Sequence, residues 1–338
     1  MSIIVAVIVL GVLITVHELG HFLVAKAVGM HVKDFAIGFG PAIAKFQKAE
    51  TLYAIRLFPL GGYVRVLGED EDERSKEGSM QSKTVGERFL FVLAGPLMNF
   101  LLAILLFMLV AFAFGLATNA GEIGRVVKGD VADQAGLESG DVIISIDQQE
   151  VNSWEDIVEE ISAAPEQSLN IEIMRNDKIQ NVTVVPQYDE TGQRGVIGIM
   201  PPLERLGLVD SIKYGLSQTA VVGRMIFHGL RDLFFGDEGS IDDLAGPVGI
   251  VSLVGETVRF GLANVILFAA ALSVNLGVLN LLPIPALDGS RLVFLIIEGV
   301  RGKPIDPEKE GFVHIIGVLF LLLLFVIVMY NDIMRILS

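Results

Sequence analysis

Thr15-Val16-His17-Glu18-Leu19-Gly20-His21-Phe22-Leu23 lies inside a stretch, Ser2 to Val28, that is otherwise almost wholly Val, Ile, Leu, Ala, Gly and Phe. That setting decides how both the fold and the motif read. Two imidazoles and a carboxylate are costly in a bilayer-spanning helix, so ionisable residues there usually have a function. On a helix, positions i and i+4 share a face, so His17 and His21 can grip one metal ion while Glu18 lies beside it. This is the HExxH spacing, in which the glutamate serves as general base toward a water. In a soluble helix, two histidines satisfied by their neighbours would compete seriously with this reading. Within a membrane segment the metal reading is favoured.

Composition agrees with a membrane setting. The 338 residues are 52% hydrophobic, with a mean hydropathy of +0.60. Four stretches, roughly Ile3–Ala27, Phe89–Ala117, Ala263–Leu282 and Phe312–Tyr330, reach the ~20 apolar residues needed to cross a hydrocarbon core. The first is too long for a signal-peptide core and has no basic residues before it, so a retained span is expected. The net charge of −15 argues against a nucleic-acid partner. With no cysteine in the chain, disulfides and thiolate ligands are excluded, and a zinc ion would be held by His and carboxylate. The expected architecture is a polytopic α-helical membrane protein with about four transmembrane helices. Residues 1–117 carry the first two spans with the HExxH and a hairpin loop. A module at 120–203, a juxtamembrane helical segment at 208–260 and the last two spans at 261–338 follow.

Orientation is read from Lys and Arg near the span ends. The loop from Gly29 to Arg88 carries nine basic residues, whereas Leu116–Gly124 has none. Arg291, Arg301 and Lys303 follow the third span. The rule therefore puts 29–88 and 301–309 in the cytoplasm, although Arg259 and Arg335 run against it. Within the first loop, Tyr53–Leu67 alternates and carries Pro59-Leu60-Gly61-Gly62, which reads as a hairpin. It follows the glycine-rich Phe35–Pro41, and fits either an amphipathic loop or a membrane-associated β-hairpin inserted near the site.

Residues 120–203 form the one clearly soluble segment. A strand at Glu122–Val127, a short helix at Val131–Leu137 and a strand at Val142–Ile146 come first. Ser153, with Asp156 in capping-box position, starts a helix through Ala163. Leu169–Arg175 and Ile179–Val185 then pair across Asn176-Asp177. This order, with AGLxxGDxIxxI at its centre, resembles a PDZ domain, an α+β fold that takes an extended peptide along a strand edge; a spacer that binds nothing is the competing reading. Leu208–Phe235 has a helical period interrupted by Lys213, Arg224, His228 and Arg231, and reads as an interfacial helix rather than a fifth span. His228 and His314 stand alone and read as structural.

Two histidines do not complete a catalytic zinc site, which takes three protein ligands and an open position. The third ligand should be a carboxylate at membrane depth. Glu256, Glu298 and Asp332 are less well placed by their contexts than Asp288, in Asn280-Leu281-Leu282-Pro283-Ile284-Pro285-Ala286-Leu287-Asp288-Gly289. Pro283 and Pro285 cannot continue a regular helix, and irregular backbone at that depth is tolerated where it lines a cavity. The first and third spans run in the same direction, so His21 and Asp288 arrive at similar depth.

HELGH near the N-terminus, NxxPxPxLDG in a late span and a PDZ-like insertion between them resemble the site-2 protease family, in particular its bacterial regulator-of-sigma-E protease branch. Gly95-Pro96-Leu97-Met98-Asn99 and Gly246-Pro247-Val248-Gly249-Ile250 are further matches. The resemblance covers nearly the whole chain. It implies zinc held by His17, His21 and Asp288, with Glu18 as catalytic acid/base and Asn280 engaging the substrate backbone. Ser290 stands where many relatives have a second Gly, and one PDZ-like module stands where some have two. The activity implied is hydrolysis of a peptide bond within the transmembrane segment of a single-pass membrane protein in the bacterial cytoplasmic membrane. Membrane-bound anti-sigma factors and signal-peptide remnants are the implied substrates. The lipid bilayer and a PDZ-bound peptide are the other implied partners. Two other classes compete. A catalytically silent PDZ scaffold would lack Glu18 or Asp288, and a zinc transporter would spread acidic and histidine residues over several spans.

Overall fold

The computed structural model describes residues 2–68, 71–73, 75–189, 194–236 and 246–337. Along the chain, α1 (Ser2–Ala27) leads to two long strands, β1 (Val32–Lys48) and β2 (Thr51–Val66). Next comes α2 (Val85–Leu109), continued by a π-turn at Val110–Phe114. β3 (Leu116–Ala117), β4 (Arg125–Val126), α3 (Val131–Gln134), β5 (Val142–Ile146), β6 (Gln149–Glu150) and α4 (Trp154–Ala163) follow. They are succeeded by β7 (Leu169–Arg175), β8 (Lys178–Val184), β9 (Gln187–Asp189), β10 (Arg194–Val196), β11 (Ile199–Met200) and β12 (Leu203–Glu204). Last come α5 (Leu208–Phe235), α6 (Pro247–Arg259), α7 (Leu262–Leu281), α8 (Asp288–Arg301) and α9 (Pro307–Leu337). These elements fall into two compact units, Ala111–Leu208 and the remainder.

In the larger unit, four helices are long and apolar enough to cross a membrane: Ser2–Ala27, Val85–Phe114, Leu262–Leu281 and Glu308–Met334. The chain is a polytopic membrane protein. Its second span differs from the expected Phe89–Ala117 at both ends. Thr84 caps it in a reciprocal box with Glu87, so helix begins at Val85. Gly115, at φ +88°, turns the chain out of helix after Phe114 and into β3. On α1, Ala6, Leu13, His17, Gly20, His21 and Ala25 form the buried stripe, while Ile3, Ile4, Ile8, Val12 and Leu23 face outward. Helical periodicity thus carries the motif histidines inward. Gly20 makes the α1–α2 approach close: a Cβ there would lie 2.3 Å from the Ala94 carbonyl oxygen. The Ser273 hydroxyl on α7 donates to the Asn99 backbone oxygen on α2 at 2.8 Å. Ala103, Phe107, Ala270 and Val274 fill that seam, with Tyr214 and Val222 of α5 packed against them.

The expected hairpin within Tyr53–Leu67 is not the one observed. β1 and β2 are the two arms of an antiparallel pair whose turn is at Ala49-Glu50, with Ala49 at φ +50°. Pro59–Gly62 is a bend inside β2, and the two halves of Tyr53–Leu67 do not pair with each other. Phe35 sits between them, with Val64 and Tyr53 as partners, and Ala36 likewise meets Tyr63 and Ala54. Gly38 permits the matching bend in β1, since a Cβ there would lie 2.6 Å from the Phe58 oxygen. Phe39, Ile43, Phe46, Ile55, Leu57 and Phe58 leave this sheet richly apolar on its exposed surface.

The smaller unit has its own core of Ile123, Ile143, Ile146, Ile157, Ile171 and Ile173 with their neighbours. A four-stranded sheet, ordered β6-β5-β7-β8, packs with α4. Asn176 and Asp177, both at positive φ, close the β7–β8 hairpin as a two-residue turn of that type requires. Ser153 and Asp156 cap α4 reciprocally.

Candidate metal centre

α7 stops at Leu281 because Pro283 and Pro285 cannot extend it. The connecting segment holds Ala286 at φ +79°, an unusual conformation for a residue with a Cβ. α8 then begins at Asp288. Gly289 is fixed by close approach, as a Cβ would lie 2.1 Å from the Leu282 oxygen. Ser290 is accommodated: its hydroxyl donates to the Leu287 carbonyl at 2.8 Å. The LDG segment thereby turns Asp288 toward the buried face of α1.

There the structure brings His17, His21 and Asp288 together. Asp288 Oδ2 lies 3.1 Å from His17 Nε2 and 3.4 Å from His21 Nε2. The two Nε2 atoms are 3.2 Å apart. All three residues are largely buried, and Asp288 Oδ2 makes no aligned hydrogen bond. Zinc at about 2.1 Å from tetrahedral ligands requires ligand atoms about 3.4 Å apart. The observed triangle has that size, so the donor set fits a zinc ion. His21 Nδ1 donates to the Phe91 carbonyl at 2.8 Å, which leaves Nε2 free to bind a metal. Gly95 makes room, because a Cβ there would lie 2.3 Å from His21 Nε2.

Glu18 shares with these residues a cavity of about 280 Å³, walled also by Tyr63 and Val64 of β2 and by Arg291 and His314. Gly62 comes close enough that a Cβ would lie 3.4 Å from Glu18 Cγ. The second arm of β2 therefore passes along the carboxylate. Asn280 is half-buried on the last turn of α7 and is not part of this wall. The other carboxylates considered are engaged elsewhere. Glu298 pairs with Arg88 at 2.6 Å, and Asp332 accepts from the backbone N–H groups of Gly246 and Gly249 at 3.2 and 2.8 Å. The side chain of Glu256 lies outside the described residues, as do those of Arg259 and Arg335. His228 meets the Phe227 ring, whereas His314, read from sequence as structural, lines the cavity. In the smaller unit, a groove of about 200 Å³ between α4 and β10–β11 is lined by Trp154, Ile157, Ile161, Val196 and Ile199.

Two helix histidines one turn apart and a distant aspartate, with a glutamate beside them, fit the zinc site of a metalloprotease, here set among membrane-spanning helices. Peptidase family M50 matches residues 5–324, and the chain belongs to that family. It is an intramembrane zinc metalloendopeptidase. The regulator of sigma-W protease RasP of Bacillus subtilis is 35% identical, covering 99% of this chain and 98% of that protein. The zinc metalloprotease RasP of Geobacillus kaustophilus is 36% identical, at the same coverages. The B. subtilis alignment runs over 417 positions, more than the 338 residues here, so that relative carries residues without a counterpart in this chain. Among solved structures, the PDZ domain of the SdrC-like protein of Listeria monocytogenes aligns with 25% of this chain and 88% of its own length. Its identity is 22% and its TM-score 0.22.

Proposed function

We propose that His17, His21 and Asp288 hold the zinc ion and that Glu18 moves the proton in hydrolysis of a membrane-embedded peptide bond. The convergence of three donor atoms within 3.4 Å of one another, beside Glu18, carries this reading. Zinc, when bound, supplies Lewis acidity to the scissile carbonyl and makes water nucleophilic near neutral pH. Glu18 takes the proton of the attacking water on a carboxylate oxygen and delivers it to the leaving amine nitrogen.

A helical substrate hides each carbonyl in an i→i−4 hydrogen bond, so it must be drawn out before it can react. Tyr63–Arg65 pairs on one side with Asp34–Ala36 of β1. Its other edge, next to Glu18, supports capture of the extended substrate by strand addition. Asn280 contacting the substrate backbone rests on the family resemblance alone. The substrates are single-pass membrane proteins. The name of the B. subtilis relative favours anti-sigma factors, with signal-peptide remnants as a second class. By the basic-residue distribution, the zinc site faces the cytoplasmic side and the module at 120–203 lies outside, its groove taking an extended peptide end.

The decisive variant is Glu18→Gln. It should keep its zinc and lose cleavage by at least about 10²–10⁴-fold. Membrane-peptide proteomics of cells carrying it would identify the substrates that accumulate. Near-normal cleavage by Glu18→Gln would refute the assignment.

A further inference from the structure

We propose that Asn99 is a positioning residue for the zinc site, its side-chain Oδ1 accepting a hydrogen bond from His17 Nδ1–H. The inference rests on His17 and His21 binding zinc through Nε2. A histidine that binds a metal through Nε2 carries its proton on Nδ1, and that N–H needs an acceptor. For His21 the acceptor is the Phe91 carbonyl.

His17 Nδ1 meets the carboxamide of Asn99, with Nδ2 at 3.4 Å. In that orientation the zinc-binding tautomer would set two donors against each other. Oδ1 of the same group is meanwhile buried without a hydrogen-bond partner. The two ends of a carboxamide are nearly equal in shape, and their assignment follows from the surrounding hydrogen bonds. A half-turn about the last side-chain torsion removes the donor–donor contact and gives Oδ1 its partner.

The rest of the site holds Asn99 in place for this task. It is fully buried. Its backbone oxygen accepts from the Ser273 hydroxyl, which fixes this point of α2 against α7. Phe91 and Asn99 stand eight residues apart on the buried face of α2, as His17 and His21 stand four apart on α1. One helix thus supplies two ligands, and its neighbour supplies the outer partner of each.

The test uses the full-length protein loaded with zinc, with Asn99→Leu removing the acceptor and Asn99→Asp keeping it. Zinc affinity is read by competition with a chelator, and the His17 Nδ1–H resonance by ¹⁵N-histidine NMR, which has five histidines to assign. Asn99→Leu should weaken zinc binding about 10–100-fold and move the resonance, whereas Asn99→Asp should bind at least as tightly as the wild type. Wild-type affinity in Asn99→Leu overturns the proposal. If that variant fails to fold, weaker binding by Asn99→Asp, or an Nδ1–H resonance identical in Asn99→Asp and wild type, overturns it instead. A wild-type protein that holds no zinc would sink the metal assignment itself, a result distinct from loss of the tether.

Discussion

Gly95→Ala adds one methyl group and no polar atom, yet it should weaken the metal site. The new Cβ would stand 2.3 Å from His21 Nε2, 2.7 Å from His21 Cε1 and 2.8 Å from His17 Cε1. Ordinary contact begins at about 3.4 Å, so the His21 ring must retreat by about 1 Å. Zinc–nitrogen bonds of about 2.0–2.1 Å tolerate deviations of only about 0.2 Å. His21 cannot swing away freely either, because Nδ1 is held by the Phe91 carbonyl. Overpacking of this kind costs about 1–3 kcal/mol, which converts to zinc binding weaker by about 5- to 150-fold. The assay is bound zinc per chain after dialysis against a graded chelator, with peptide-bond cleavage measured in parallel. Gly86→Ala, on the same helix with open space around its Cβ, is the matched control and should behave as wild type. A Gly95→Ala protein with wild-type zinc affinity would refute both the location of the ion and the closeness of α2.

Three further outcomes are expected. The chain has no cysteine, so a cysteine at Ser75 should be labelled only from the cytoplasmic side and one at Gln167 only from outside; the reverse labelling would invert the orientation. Each Gly replacing Ala near the scissile bond of a transmembrane substrate weakens its helix by about 1 kcal/mol. Cleavage should accelerate accordingly, with Asn280→Ala penalising the stiffer substrates more; equal rates across such a panel would remove unwinding as the limiting step. Asp156 accepts backbone N–H bonds from Asn152 and Ser153, which hold its carboxyl below the usual range. A depressed folded-state value gives stabilisation that is complete above the ordinary carboxylate range and is lost as pH falls through the lowered value. Trp154, the sole tryptophan, reports α4, so Asp156→Asn should remove this acid dependence from its unfolding. An unchanged acid profile would contradict the cap's role.

The site residues that sequence exposed share a property: each is out of place in its local context. His17 and His21 are ionisable in an apolar helix, and Asp288 follows two prolines that break a span. The hairpin at Asn176-Asp177 was legible because its turn chemistry is local. The larger sheet was not. Alternation marks Tyr53–Leu67 as extended but names no partner, and Pro59–Gly62 fits a hairpin turn as well as a bend. Only the assembled sheet inserts Asp34–Ile37 between the two arms. Asn99 gave a faint signal, one neutral polar residue in an apolar span, and its importance lies in a ring eighty-two positions away. His314 reaches the cavity through the packing of α9, where Gly317 lets the helix close on Pro285.

The gathering of residues 17–21, 91–99 and 288 at one point has a consequence for when this enzyme becomes dangerous to its surroundings. A chain being synthesised makes α1 and α2 long before α8 exists, and at that stage it owns His17, His21 and Glu18 but lacks Asp288, the third ligand proposed above. On the proposed assignment the metal site stays incomplete, and the protease unarmed, until synthesis has passed residue 288. On that assignment a zinc ion held by all three ligands favours the assembled bundle by mass action, by RT ln(1 + [Zn]/Kd), about 4 kcal/mol when the ion is a thousandfold above its dissociation constant. Arming of the site then waits on the folding of α8 against α1.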